Sequence, residues 1–238
     1  MTGYSFPDLV AAIGVSAGAA AYAVRGPRST LLAPSVYRGS TTRPAIALTF
    51  DDGPSESTPE LLKILGHFGA SATFFQCGAN VRRLPEIARD VAAAGHEIGN
   101  HSDTHARLYL RSSGFIYGEL AAAGETIQRV TGVQPRHFRA PYGARWFGLR
   151  DAQRRLGLMG VMWTTLALDW KWPAARVARR LIGGARNGAI FCLHDGRQLE
   201  PRPNIRATLE AVREVLPKLI ESGFHFERVT DILCPTKN

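Results

Sequence analysis

The stretch "AIALTFDDGPSESTPELLKILGHFGASATFFQC", residues 45–77, decides the fold. It opens on an apolar run, "AIALTF" (45–50), that suits a buried strand. Thr58 followed by Pro59 reads as a helix N-cap with proline at the first helical position, and a helix is expected over 59–68. A second apolar run, "ATFFQC" (72–77), is again strand-like. The alternation continues through "EIGN" (97–100), "HFRA" (137–140), "VMWTT" (161–165), "AIFCLH" (189–194) and "FHFERV" (224–229). Helix-like runs lie between them at 85–94, 114–131, 147–156, 174–185 and 204–222. Strands alternating with helices predict an α/β fold with a mainly parallel sheet. Seven strands either close into an incomplete barrel or stay open and doubly wound, and pattern alone leaves both open. In both, ligand sites gather at the carboxyl ends of the strands.

Those ends carry the chemistry. Asp51 and Asp52 follow the first strand, and "HSDTH", with His101 and His105, follows "EIGN". Arg139 stands just before "PYG", Asp169 and Trp170 follow the fifth strand, and His194 and Asp195 end "AIFCLHD". Two adjacent carboxylates repel unless a cation, a shared proton or solvent relieves them. Two histidines four apart would meet on one face of a helical turn. With one carboxylate they make a common site for a catalytic divalent ion, leaving positions open for water and substrate. "HSDTH" lacks the glutamate of the H-E-x-x-H protease motif. Each segment taken singly also has a plainer reading: an Asp-Gly-Pro turn, loop histidines, a surface arginine, a helix-capping aspartate.

The chain has 238 residues, 45% hydrophobic and 21% charged, which suits one globular domain with a sizeable core. Its net charge of +9 favours an anionic envelope polymer or membrane surface, or is simply a solvated basic surface. No nucleic-acid-binding motif accompanies the charge, so no nucleic-acid partner is expected. Cys77, Cys192 and Cys234 are too scattered for a disulfide framework or a zinc knuckle. Residues 1–43 read as an N-terminal apolar segment with a linker, and 44–238 as the catalytic domain. Leu9 to Val24 carries no charge, yet 16 helical residues reach about 24 Å, short of a roughly 30 Å bilayer core. It reads as a weak anchor, a signal-like segment or an Ala/Gly-rich helix packed on the domain. Arg25 and Arg28 follow the apolar run, which by the positive-inside rule would hold the C-terminal side in the cytoplasm. The expected location is the cell envelope, membrane-associated or exported, with the side of the membrane open.

Five motifs, "TFDDGP" (49–54), "HSDTH" (101–105), "RAPYG" (139–143), "DW" (169–170) and "CLHDG" (192–196), stand in the order found in one family. The chain resembles the polysaccharide deacetylases with a NodB-type domain, or family 4 carbohydrate esterases, over roughly residues 44–232. The resemblance implies a distorted (β/α) barrel, usually of seven strands. It implies Asp51 as general base, Asp52, His101 and His105 as ligands of one divalent ion (most commonly Zn²⁺, with Co²⁺ or Ni²⁺ as alternatives), and Arg139 as the holder of the base. It further implies Pro141 and Tyr142 at the oxyanion, through the Tyr142 backbone N–H, Asp169 as partner of the general acid His194, and Trp170 as a wall near the acyl group. The substrate so implied is an N-acetylated glycan such as peptidoglycan, a chitin-like oligomer or an exopolysaccharide, and the products are acetate and an amino sugar.

One position departs from that pattern. The family's last motif is usually Leu-x-His, and here Cys192 takes the leucine position, which opens the question of acyl-group preference. Two alternatives stand beside the polysaccharide deacetylase: a deacylase or deformylase of a lipid-linked sugar, and an envelope carbohydrate-binding protein without catalysis. Oligomeric state leaves no trace in the sequence.

Overall fold

The run 45–50 extends into a nine-residue strand, β2 (Ala45–Gly53), buried at every position. Burial on both faces marks an interior strand of a parallel sheet. Its outward residues Ile46, Leu48 and Phe50 pack under the helices with Phe74, Phe191, Leu61 and Leu216. Its inward residues Ala45 and Ala47 pack with Phe75, Val161 and Ile190, and Val229 and Ile232 join that cluster. Side chains alternate along a strand, so Thr49 and Asp51 continue the inward face toward the carboxyl end. The barrel interior thus begins small and apolar and becomes polar where the strands emerge.

The computed structural model describes residues 17–233. The other strands are β1 (Ser35–Val36), β3 (Ala72–Gln76), β4 (Glu97–Asn100), β5 (His137–Phe138), β6 (Met159–Val161), β7 (Thr165–Leu166), β8 (Ala189–His194) and β9 (His225–Phe226). They form one curled sheet in the order β1-β6-β5-β4-β3-β2-β8-β7, with β9 on β2, and every pairing is parallel. No pairing joins β1 to β7 among the described residues, so the barrel is distorted and incompletely closed. Two short strands exceed the seven expected. β1 comes from the Pro- and Ser-rich segment before residue 44, and the run 161–165 splits into β6 and β7.

The helices are α1 (Thr58–His67), α2 (Gly78–Arg83), α3 (Pro85–Ala93), α4 (Ser113–Thr131), α5 (Leu149–Leu156), α6 (Ala174–Gly183), α7 (Arg206–Glu221) and α8 (Val229–Leu233). Pro59 stands at the start of α1 as expected, but Ser57 rather than Thr58 is the N-cap. The Thr58 hydroxyl instead accepts from the Ser55 N–H (2.9 Å) and donates to Asp195 Oδ2 (2.7 Å). At the opposite end of the barrel, Glu97 accepts from His137 Nδ1 (2.8 Å), Thr73 Oγ1 (2.8 Å) and the Thr230 N–H (3.1 Å), which fastens α8 to β3 and β5. The first half of the apolar segment 9–24, residues 9–16, and Cys234 lie outside the described residues. Residues 17–25 are helical and largely exposed, and no described helix is long and apolar enough to cross a membrane.

Candidate active site

The adjacent aspartates share one pocket because the strand is irregular between them. The register of β2 on β3 runs Asp51↔Phe75 and then Gly53↔Gln76, skipping Asp52. Asp52 has φ 73, in the left-handed region, where Asp is better tolerated than most side chains. In a regular strand the two carboxylates would point to opposite faces; the bulge re-aims one of them. Gly53 then leaves room for the Asp195 carboxylate, and Gly196 for the Asp52 backbone, which any Cβ would strike.

On the β8 edge of β2, Thr49 pairs with Cys192 and Asp51 with His194. This register sets the candidate base and acid side by side on the inward face. Arg139 reaches Asp51 from the end of β5: its Nη1 donates to Asp51 Oδ1 (2.7 Å) and Thr49 Oγ1 (2.6 Å). Its remaining nitrogens donate to the carbonyls of Val161 (3.1 Å) and Met162 (3.2 Å), and its guanidinium lies 4.2 Å from the centre of the Phe75 ring. At 1% exposure it is a core residue, which removes the surface-arginine reading. The second Asp51 oxygen accepts from the Cys192 thiol at 3.4 Å. Burial, then the Asp51 charge, pushes the pKa of that thiol well above its usual value. Cys192 is therefore a buried neutral donor.

His101 and His105 do meet, but not on a helical turn. They belong to a loop in which Ser102 and His105 have positive φ (64 and 54), and their ring centres are 5.1 Å apart. Glu119 of α4 ties that loop down by accepting from the N–H groups of Asp103 (3.2 Å) and Thr104 (2.9 Å). Asp52 Oδ1 lies 3.2 Å from His101 Nε2 and 3.0 Å from His105 Nε2. His101 Nδ1 faces the Arg139 carbonyl at 2.8 Å, so a neutral ring donates there and turns a lone pair toward Asp52. Asp52 Oδ1 is buried with no hydrogen-bond donor, while Oδ2 accepts from the Gln198 N–H (2.8 Å). An orphaned carboxylate oxygen and two imidazoles converging within 4.8 Å fit a divalent cation.

His194 and Asp169 form the third group. His194 donates to Asp169 through Nδ1 (2.9 Å) and through its backbone N–H (2.8 Å), and Thr208 Oγ1 adds a third bond to that carboxylate (2.7 Å). Burial disfavours the imidazolium, but Asp169, with Asp52 and Asp51 behind it, holds its pKa up at about 9. The Trp170 ring stands edge-on to the imidazole at 4.8 Å, and Tyr142 packs on His105 at 4.7 Å. Pro141–Gly143 form a short 3-10 turn in which Tyr142 has φ 58. Pro141 is buried there, whereas Tyr142 is exposed. All eleven site residues expected from the sequence thus gather at the carboxyl ends of the strands. Eight of them line a cavity of about 620 Å³; Pro141 and Asp169 are sequence neighbours of lining residues, and Arg139 reaches it through Asp51.

Sequence reasoning missed other residues of the cavity. Trp163 and Leu166 supply apolar wall, and Gln198 touches Asp52 through its backbone, so its side-chain type carried no signal. Arg25, Pro27 and Arg197 also line it. Asp195 lies just behind, buried, with one oxygen unpartnered and its pKa raised to about 7, mainly by burial.

A family model described as polysaccharide deacetylase matches residues 38–161, just over half of the chain. A chitooligosaccharide deacetylase of Azorhizobium caulinodans is 35% identical over 189 residues, covering 76% of this chain and 90% of its own length. The chain belongs to the polysaccharide deacetylase family. Another relative is the peptidoglycan-N-acetylglucosamine deacetylase PgdA of Listeria monocytogenes, 31% identical over 206 residues. That match spans 86% of this family member and 42% of PgdA, so the chain corresponds to less than half of that relative. Among solved structures, a CE4 family pseudoenzyme from Bacillus anthracis superposes with a TM-score of 0.77 at 28% identity, over 86% of this chain and 70% of the other. A mutant of the same pseudoenzyme is described as having restored enzymatic activity. The family therefore includes members with this fold and no activity. For this family member, the question of function rests on which groups stand in the cavity.

Proposed function

We propose that this chain is a metal-dependent N-deacetylase that removes acetyl groups from N-acetylated amino sugars of an envelope glycan, such as peptidoglycan, a chitin-like oligomer or an exopolysaccharide. The observation that carries the reading is the convergence of three groups on one cavity: Asp52 with two imidazoles, Asp51 held by Arg139, and His194 held by Asp169. Asp52, His101 and His105 would hold the ion, Zn²⁺ being the family's commonest. Bound there, it would polarise the acyl carbonyl and ease deprotonation of water.

The chain's own residues divide the remaining work. Arg139 fixes one oxygen of Asp51 and so aims the carboxylate, whose other oxygen takes the proton of the attacking water. The backbone N–H of Tyr142 is assigned to the developing oxyanion, on the strained turn after β5. His194 carries its proton at neutral pH, as an acid for the leaving nitrogen must, and Asp169 sustains that state. Trp170, Leu166 and Cys192 surround the acyl group with a mainly apolar wall. We assign the protein to the cell envelope, where such glycans lie.

Acetate release from peptidoglycan, chitooligosaccharides and lipid-linked amino sugars, with and without chelator, tests the reading. The expected result is release from at least one of the first two, abolished by the chelator and restored by Zn²⁺. Asp51→Asn should lower turnover at least a hundredfold with glycan binding retained. Glycan binding without release by the metal-loaded protein would make it a binding protein without catalysis.

A further inference from the structure

We propose that Arg25 is a specificity-determining residue that recognises an anionic group, a carboxylate or a phosphate, on the amino sugar in the cavity. The inference rests on the deacetylase reading for the neighbouring chemistry, but the anion contact has its own support. Arg25 and Pro27 line the same cavity as Asp51, Asp52 and His194, although they come before the first strand of the sheet, β1 (Ser35–Val36).

The segment that carries Arg25 is fastened to the active-site loop. Arg145, two residues beyond Gly143, is 2% exposed and has no carboxylate partner among the described residues. Its backbone N–H donates to the Val24 carbonyl (3.0 Å). Its guanidinium donates to the carbonyls of Gly26 and Ser29 and to Ser35 Oγ (3.0 Å). Carbonyls on both sides of Arg25 are thus held by one buried cation. Gly26 completes the arrangement: a Cβ there would strike the Tyr22 ring and carbonyl. On its far side the segment enters the sheet through β1.

So Arg25 is presented by a fixed backbone, yet its side chain is exposed and makes no hydrogen bond or ion pair among the described residues. The carboxylates that line the cavity face elsewhere, Asp51 toward Arg139 and Asp52 toward the Gln198 N–H and the two imidazoles with which it would hold the ion. Arg197, the second arginine on the cavity, also lacks a carboxylate partner among the described residues. Its Nη2 reaches only the carbonyls of Asp169 and Asn204, at 3.3 Å each, and its Nη1 is buried without a partner. Two guanidinium groups without counter-charge, beside walls of Trp163 and Trp170, leave a place for a substrate anion. The planar fork of arginine suits carboxylate and phosphate oxygens alike. The net charge of +9 would draw such a substrate in.

Three probes test the inference: chitotetraose, which is neutral, a GlcNAc–MurNAc disaccharide, which carries a carboxylate, and UDP-GlcNAc, which carries phosphate. Arg25→Glu should raise KM for one anionic probe at least tenfold relative to chitotetraose, with a smaller change in the kcat ratio. Arg25→Lys should recover part of the loss, and the probe that responds identifies the anion. Equal shifts on all three probes, or none, would overturn the assignment. Should the wild-type protein release no acetate from any probe, the deacetylase reading fails and Arg25 is judged by binding alone. A preference for an anionic probe, read by tryptophan fluorescence and lost in Arg25→Glu, then sustains the inference, and no such preference overturns it.

Discussion

At the scale of single residues, His194 decides how the site should respond to pH. Its pKa of about 9 lies above the ordinary 6.5, because Asp169 outweighs the cost of burial. The bound proton therefore contributes stability that is fully present below 6.5 and is lost as pH rises through about 9. The alkaline limb of kcat/KM should fall in the same range. Asp169→Asn keeps the shape and removes the charge, and should move that limb down by about one unit or more. A carboxylate that only braced the loop would lower kcat and leave the limb in place, so the pH profile separates the two roles. Cys192 shows why residue identity alone misleads: whatever space it leaves, its thiol bonds to Asp51, a contact leucine cannot make.

At the scale of elements, the turn from β2 into α1 is the joint on which the site depends. Asp195, at the end of β8, sits under that turn, holding Thr58 through its side chain and Ser55 through its carbonyl. Gly53→Ala would push a methyl group into the Asp195 carboxylate. We expect a loss of about 1–3 kcal/mol, measured by urea denaturation, as for other overpacked interiors. Zn²⁺ affinity should fall with it, because Asp52 is the neighbouring residue. The sequence showed Thr58-Pro59 and offered only its local meaning, a helix cap. The longer-range role appears once β8 brings Asp195 beside Thr58, across 137 residues.

For the molecule as a whole, ligand binding and folding should be coupled. The three expected metal ligands come from β2 and from the loop after β4, so a bound ion ties two parts of the sheet's upper rim. An ion that binds only the folded chain stabilises it by about 2.7 kcal/mol at a hundred times its Kd. Thermal unfolding should therefore shift to higher temperature with added Zn²⁺ and return with chelator. Asp52→Asn should remove most of that shift, whether or not any glycan is turned over. An unchanged melting temperature on adding Zn²⁺ to the wild-type protein would count against the metal site.

The sequence by itself determined the sheet and most of the site's membership. Long buried strands such as 45–50 and 189–194 are apolar at nearly every position, and the polar groups that follow them must lie at the strand ends. It left open whether the sheet closes, since one alternation serves both a barrel and an open sheet. Only the tertiary structure decided that Asp51 and Asp52 face one pocket, because that depends on the positive φ at Asp52 and its bulge against β3. Only it brought Arg25 into the cavity. The contacts that do so run from one buried guanidinium to backbone carbonyls, and a backbone carbonyl is the same in every residue type, so no pattern of side chains announces it.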